Sequence, residues 1–146
     1  MSIWDGLSER VERYRNRTFL KAAMAASALA AYADGTVTLS ERYRIDDILS
    51  NLERLSIYDP HKAIQILNGF LAELRDNTEE AERVLIGKLQ RITGDREAAE
   101  LVVRIALSVS LSDGAFDPPE RALFDRICAA LGFQAADFDP DRRLGS

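Results

Sequence analysis

The chain has 146 residues, 47% hydrophobic and 29% charged, which describes one globular domain with room for a core and excludes an intrinsically disordered chain. A net charge of −5 and a pI of about 5.0 argue against a dedicated nucleic-acid binder. One cysteine, Cys128, and one histidine, His61, exclude an internal disulfide and the usual zinc constellations.

Prolines stand only at 60, 118, 119 and 140, and between them apolar residues recur at helical spacing. Seven helices are predicted. The first, about Ile3 to Tyr14, carries an apolar stripe of Trp4, Leu7, Val11 and Tyr14. Beside it runs a basic stripe of Arg10, Arg13, Arg17 and Lys21. The plain reading is a helix docked on the core with a solvated basic flank. The sharper reading makes Trp4, Arg10, Arg13 and Arg17 a surface for a partner or a membrane headgroup layer. Residues 1–17 are therefore read as an amphipathic leader and 18–146 as the helical domain. The leader carries acids early and has no apolar core, so it does not read as a secretory signal.

The second helix, Thr18 to Ala33, is "FLKAAMAASALAAYA" over most of its length. It is shorter than the ~20 apolar residues that span a bilayer and reads as buried. The third runs from about Leu39 to Leu55 and buries Ile45, Ile48, Leu49 and Leu52. The fourth begins at "DPHK", with Asp59 as cap and Pro60 at the first helical position, and presents Ile64, Leu67, Leu71 and Leu74. The fifth is capped by Asn77 or Thr78, runs to Ile92 and is ended by Gly94. The sixth, about Arg96 to Leu111, is the most hydrophobic. The seventh, Pro118 to Leu131, stops at Gly132, and a short turn of helix at "QAADF" finishes the fold.

Two loops in this series repeat one another. "YADGTVTLSERYRIDDIL" and "LSDGAFDPPERALFDRIC" align at an offset of 79 residues, since 113 − 34 = 79. Asp34 then matches Asp113, Gly35 matches Gly114, and Glu41 matches Glu120. Arg42 pairs with Arg121, Asp46 with Asp125, Ile48 with Ile127 and Leu52 with Leu131. Upstream the match is weaker, although Ser27 and Ala106 are both small. The pattern is a duplicated helix–loop–helix, and the matched apolar positions predict that the two copies pack face to face about a pseudo-two-fold axis.

Turn chemistry accounts for part of each loop. Gly35 and Gly114 suit the left-handed conformation that ends a helix. "TLSE" fits a capping box, with Thr38 as cap and Glu41 reaching back; "DPPE" is the same device with Asp117 as cap. Capping leaves Asp34 and Asp113 unexplained, because an acid beyond a helix C-terminus meets the negative end of the dipole. An Asx-turn, a basic neighbour or a hard cation would compensate. The spacing is not that of an EF-hand.

The residues "RYRNRTFLKA", "ADGTVTLSE", "LERLSIYDP" and "EAAELVVRIALSVSLSDGAFDPPERALFDRICAALGF", in that order, resemble the TerB family of tellurite-resistance proteins from Arg13 onward. The resemblance implies an all-α fold of about seven helices and a non-enzymatic part in tellurite resistance and stress responses. It implies a membrane-embedded TerC-type partner and TerD-type calcium-binding partners. It also implies a metal-sensing role for the acidic loops, carried over here to Asp34, Glu41, Asp113 and Glu120, with Ca²⁺ or a similar divalent cation as the candidate ligand. The expected location is the cytoplasm, at the inner face of the membrane, with peripheral association.

Enzyme readings find little support in the residues. There is no Gly-rich phosphate loop, and one histidine does not build a Ser/His/Asp set. A thiol-dependent enzyme acting on tellurium oxyanions would need Cys128, which reads instead as a buried structural residue. His61 is assigned no role.

Overall fold

The computed structural model describes residues 17–33, 37–54, 60–111 and 117–138. It is all-α, with no strand among the described residues. Six α-helices follow one another: α1 (Arg17–Ala31), α2 (Leu39–Arg54), α3 (Pro60–Asp76), α4 (Thr78–Gln90), α5 (Arg96–Ser110) and α6 (Pro118–Leu131). A 3₁₀ turn, Ala135–Asp137, follows. The helix expected over 3–14 lies outside the described residues.

Helix α1 is the axis of the molecule. It packs against every other α-helix, most extensively against α5, α4 and α3. Alanine is the best helix former and the smallest residue that still fills space, so an alanine-rich helix lets neighbours come close on all sides. Ala22, Ala23, Ala25, Ala26, Ala28, Ala30 and Ala31 are all buried, together with Phe19, Leu20, Met24 and Leu29. Ser27 is buried among them and donates its hydroxyl proton to the Ala23 carbonyl at 2.9 Å, so its polar group is satisfied inside the helix. Helix α1 is thus buried as expected, and it, not the helix over Arg96 to Ser110, is the more hydrophobic of the two. Helix α5 keeps polar residues such as Arg104 on one side and buries Leu101, Val102, Ile105 and Val109 on the other.

The duplicated units meet in a reciprocal way. Helix α1 packs along α5, α2 lies against α5, and α6 lies against α1. Each copy's second helix therefore rests on the other copy's first. The face-to-face pairing expected from the matched apolar positions of α2 and α6 is not found: these two helices make no extensive contact, and the copies meet through the helices that precede the loops. The physical reason is apolar area: α1 and α5 are buried over most of their surface, whereas α2 and α6 offer a single stripe each.

The remaining helices close the core. Helix α3 buries Ala63, Leu67, Phe70 and Leu74, with Leu71 half-buried and Ile64 exposed. Its inward face is centred one residue away from the expected one. Helix α4 is capped by Asn77, which accepts from the Glu80 N–H, while Thr78 donates to the Leu74 carbonyl at 2.8 Å. Gly94 sits in the turn after α4, and the only left-handed glycine among the described residues is Gly132 at φ 84°. There the Phe133 N–H donates to the Cys128 carbonyl at 2.8 Å, ending α6. The 3₁₀ turn then packs against α6, and the phenylalanines that flank it reach α5. Phe133 and Phe138 meet edge to face at 5.5 Å, and the Arg96 and Arg104 guanidinium groups lie over their rings.

Candidate functional site

Helix α2 starts at the capping box expected from the sequence. The Glu41 N–H donates to Thr38 Oγ1 at 3.2 Å, and the Thr38 N–H donates to Glu41 Oε1 at 2.8 Å. Two orphan donors of the first turn are satisfied at once. Helix α6 starts in the same register, with the Glu120 N–H donating to Asp117 Oδ1 at 2.9 Å. Pro118 and Pro119 fill the first two helical positions, where no backbone donor is missed.

What capping does not require is burial. Glu41 and Glu120 are each only 3% exposed, and they are the only buried acids among the described residues. Desolvation opposes a carboxylate charge, so a buried acid must gain from local donors, the positive helix end or a cation. The duplication places this same costly feature at two points related by the 79-residue offset. Asp34 and Asp113 lie outside the described residues, so each pair is seen through its Glu alone. Among the described residues no group of three or more His, Cys, Asp and Glu side chains is placed to hold a metal ion.

Around the first unit the structure adds features that sequence reasoning missed. Leu39 and Tyr43, four residues apart on α2, are 67% and 64% exposed. They lie one helical turn apart on a single outward face and bracket the buried Glu41. Tyr43 also helps line a shallow surface depression with Ser40, Arg44 and Asp47. A separate cleft of about 280 Å³ is lined by Tyr32, Val37, Arg42, Asn68, Leu71 and Arg75. Arg42 and Arg75 make no ion pair with a described residue, and both line this cleft with Tyr32 and Val37. The sequence signal for Leu39 and Tyr43 was present: both fall off the Ile45, Ile48, Leu49 stripe. The Arg75 contribution had none, because it comes from α3.

The other candidates divide. Trp4, Arg10 and Arg13 lie outside the described residues. Arg17 opens α1 and is exposed. Cys128 is fully buried, as expected, and burial, with smaller contributions from Asp125 and Asp137, pushes its thiol up to about 12. A thiol that holds its proton at neutral pH is a poor nucleophile. His61 is exposed on the first turn of α3.

Among the described residues no helix is long and apolar enough to cross a membrane. The family model described as "Tellurite resistance protein TerB" matches residues 20–142. A relative from Alcaligenes sp., described as "Tellurium resistance protein TerB", is 24% identical over 101 residues, covering 69% of this chain and 83% of that protein. No solved structure matches.

Proposed function

The chain belongs to the TerB family of tellurite resistance proteins, and from that premise we propose that it is a non-catalytic adaptor whose docking surface is the outward face of α2. Membership supports a role connected with tellurite resistance. The adaptor reading goes further: it places the protein in the cytoplasm, at the membrane surface, between a TerC-type membrane protein and TerD-type calcium-binding proteins. The observation that carries it is the Leu39–Tyr43 pair, about two-thirds exposed and the most exposed large apolar side chains among the described residues. Exposed apolar side chains grouped beside a polar loop are what a partner surface uses.

A second reading is favoured by one observation, the buried Glu41 in the same turn as those side chains. On this reading the paired acidic loops, Asp34 with Glu41 and Asp113 with Glu120, take a divalent cation such as Ca²⁺. Cation binding would then change the presentation of Leu39 and Tyr43. The two readings share one surface and differ in whether a cation controls it.

Complementation tests the proposal. Cells lacking their own copy are challenged with tellurite while expressing wild type or Leu39→Ala/Tyr43→Ala. Both substitutions are on exposed residues, so the fold should survive them. The proposal expects normal protein levels with tolerance lost; tolerance equal to wild type would remove the surface from the function.

A further inference from the structure

A second charged feature lies away from the acidic loops. Arg17, Thr18 and Lys21 of α1 converge with Lys88 and Arg91 at the end of α4 on a cleft of about 110 Å³. Among the described residues no carboxylate lines this cleft. None of the four cations makes an ion pair with a described residue, in a chain whose net charge is −5. Lys88 Nζ lies 5.7 Å from the centroid of the Phe70 ring.

Helix stability accounts for only half of the cluster. Lys88 in the last turn of α4, and Arg91 directly after it, sit where the dipole favours cations. Arg17 and Lys21 lie at the opposite end of their helix, where the dipole favours acids, and the first turn of α1 has none. Packing of α1 against α4 then brings four like charges together. Such charges repel one another, and the repulsion is relieved by a counter-anion.

We propose that this cleft is a binding site for one small oxyanion group of the phosphate type. Arginine presents its donors as a planar fork suited to two oxygens, and lysine supplies point charges. The Thr18 hydroxyl adds a neutral donor. The volume suits a single compact group rather than a nucleotide, and the residues come from two helices held rigidly together in the core. The same chemistry serves free phosphate and the phosphate of a lipid headgroup. This site does not depend on the α2 surface or on a cation in the acidic loops.

The test uses the full chain, labelled with ¹⁵N, and two probes. Inorganic phosphate is titrated against a chloride control of equal ionic strength. Separately, vesicles of phosphatidylcholine are compared with vesicles containing phosphatidylglycerol. The expected result is a saturable change at the amides of Arg17, Thr18, Lys21, Lys88 and Arg91, weakened about tenfold or more in Lys21→Ala/Lys88→Ala, the loss expected for charge-assisted bonds. Lys62→Ala, an exposed cation on α3, should bind as wild type. Response to phosphate identifies a free oxyanion; response only to the anionic vesicles identifies a headgroup; either upholds the site. Exposed Arg91→Gln provides a second variant should the double substitution fail to fold. Should neither probe move these five amides beyond the control, or should the variants bind as tightly as wild type, the site does not exist.

Discussion

At Glu41 a substitution separates the helix-capping role from the cation binding proposed for it. Its carboxylate closes the capping box with Thr38 while only 3% exposed. Glutamine keeps the acceptor oxygen, so Glu41→Gln should change metal-free stability by less than about 1 kcal/mol. Glu41→Ala should cost about 1–2 kcal/mol, because it removes the cap bond. Cation binding makes the opposite demand. If Ca²⁺ binds, the wild type gains about 2.7 kcal/mol at a hundredfold excess over the dissociation constant, and Glu41→Gln and Glu120→Gln lose that gain. Melting curves with and without Ca²⁺ separate these outcomes, and identical curves for all three proteins would leave both residues as helix caps. Cys128 makes an independent prediction. Its folded thiol titrates near 12, against 9.0 for an unperturbed one. Below pH 9 both folded and unfolded chains hold the proton, and the group contributes nothing to pH dependence. As pH rises from 9 toward 12 the unfolded chain loses its proton first, so this group lowers stability over that window. The native protein should react with a thiol reagent far more slowly than the denatured protein at pH 8; equal rates would contradict its burial.

At the scale of elements, α1 sets the tolerances. Ala26 is fully buried with neighbours on every side of its helix, so Ala26→Leu should destabilise by about 1–3 kcal/mol or prevent folding. Gly69 on α3 is the reverse case. A Cβ there would meet nothing within 4 Å, and its helix gains from a better helix former. Gly69→Ala should stabilise by about 0.5–1 kcal/mol, and a lowered melting temperature would contradict the open space beside it. These elements also show what could be read from the chain. Helix existence, the Thr38–Glu41 box, the Asp117 cap and the Gly132 stop were legible because each is a local pattern with a local cause. The inward face of α3 was not, since Ala63 and Phe70 continue the Leu67–Leu74 stripe as well as Ile64 and Leu71 do, and only packing decides. Neither was the return of Phe133 and Phe138 onto Arg96 and Arg104, which joins residues far apart in sequence. Lys88 and Arg91 were invisible as neighbours of Arg17 and Lys21 for the same reason.

At the scale of the whole molecule, the duplication gives a frame in which each copy's second helix rests on the other's first. The buried glutamates then occupy equivalent places, one at the start of α2 and one at the start of α6. The copies are not equivalent outside: at the 79-residue offset the exposed Leu39 and Tyr43 correspond to Pro118 and Ala122 on α6, which are exposed too but carry much smaller side chains. On the adaptor proposal, the larger apolar side chains make α2 the docking side. The most direct measurement is capture of partners from detergent-solubilised membranes of tellurite-challenged cells, using tagged wild type and tagged Leu39→Ala/Tyr43→Ala at matched melting temperature. The adaptor account predicts that a TerC-type membrane protein is enriched with the wild type and lost with the variant. Equal enrichment with both proteins, or none with the wild type, would contradict it.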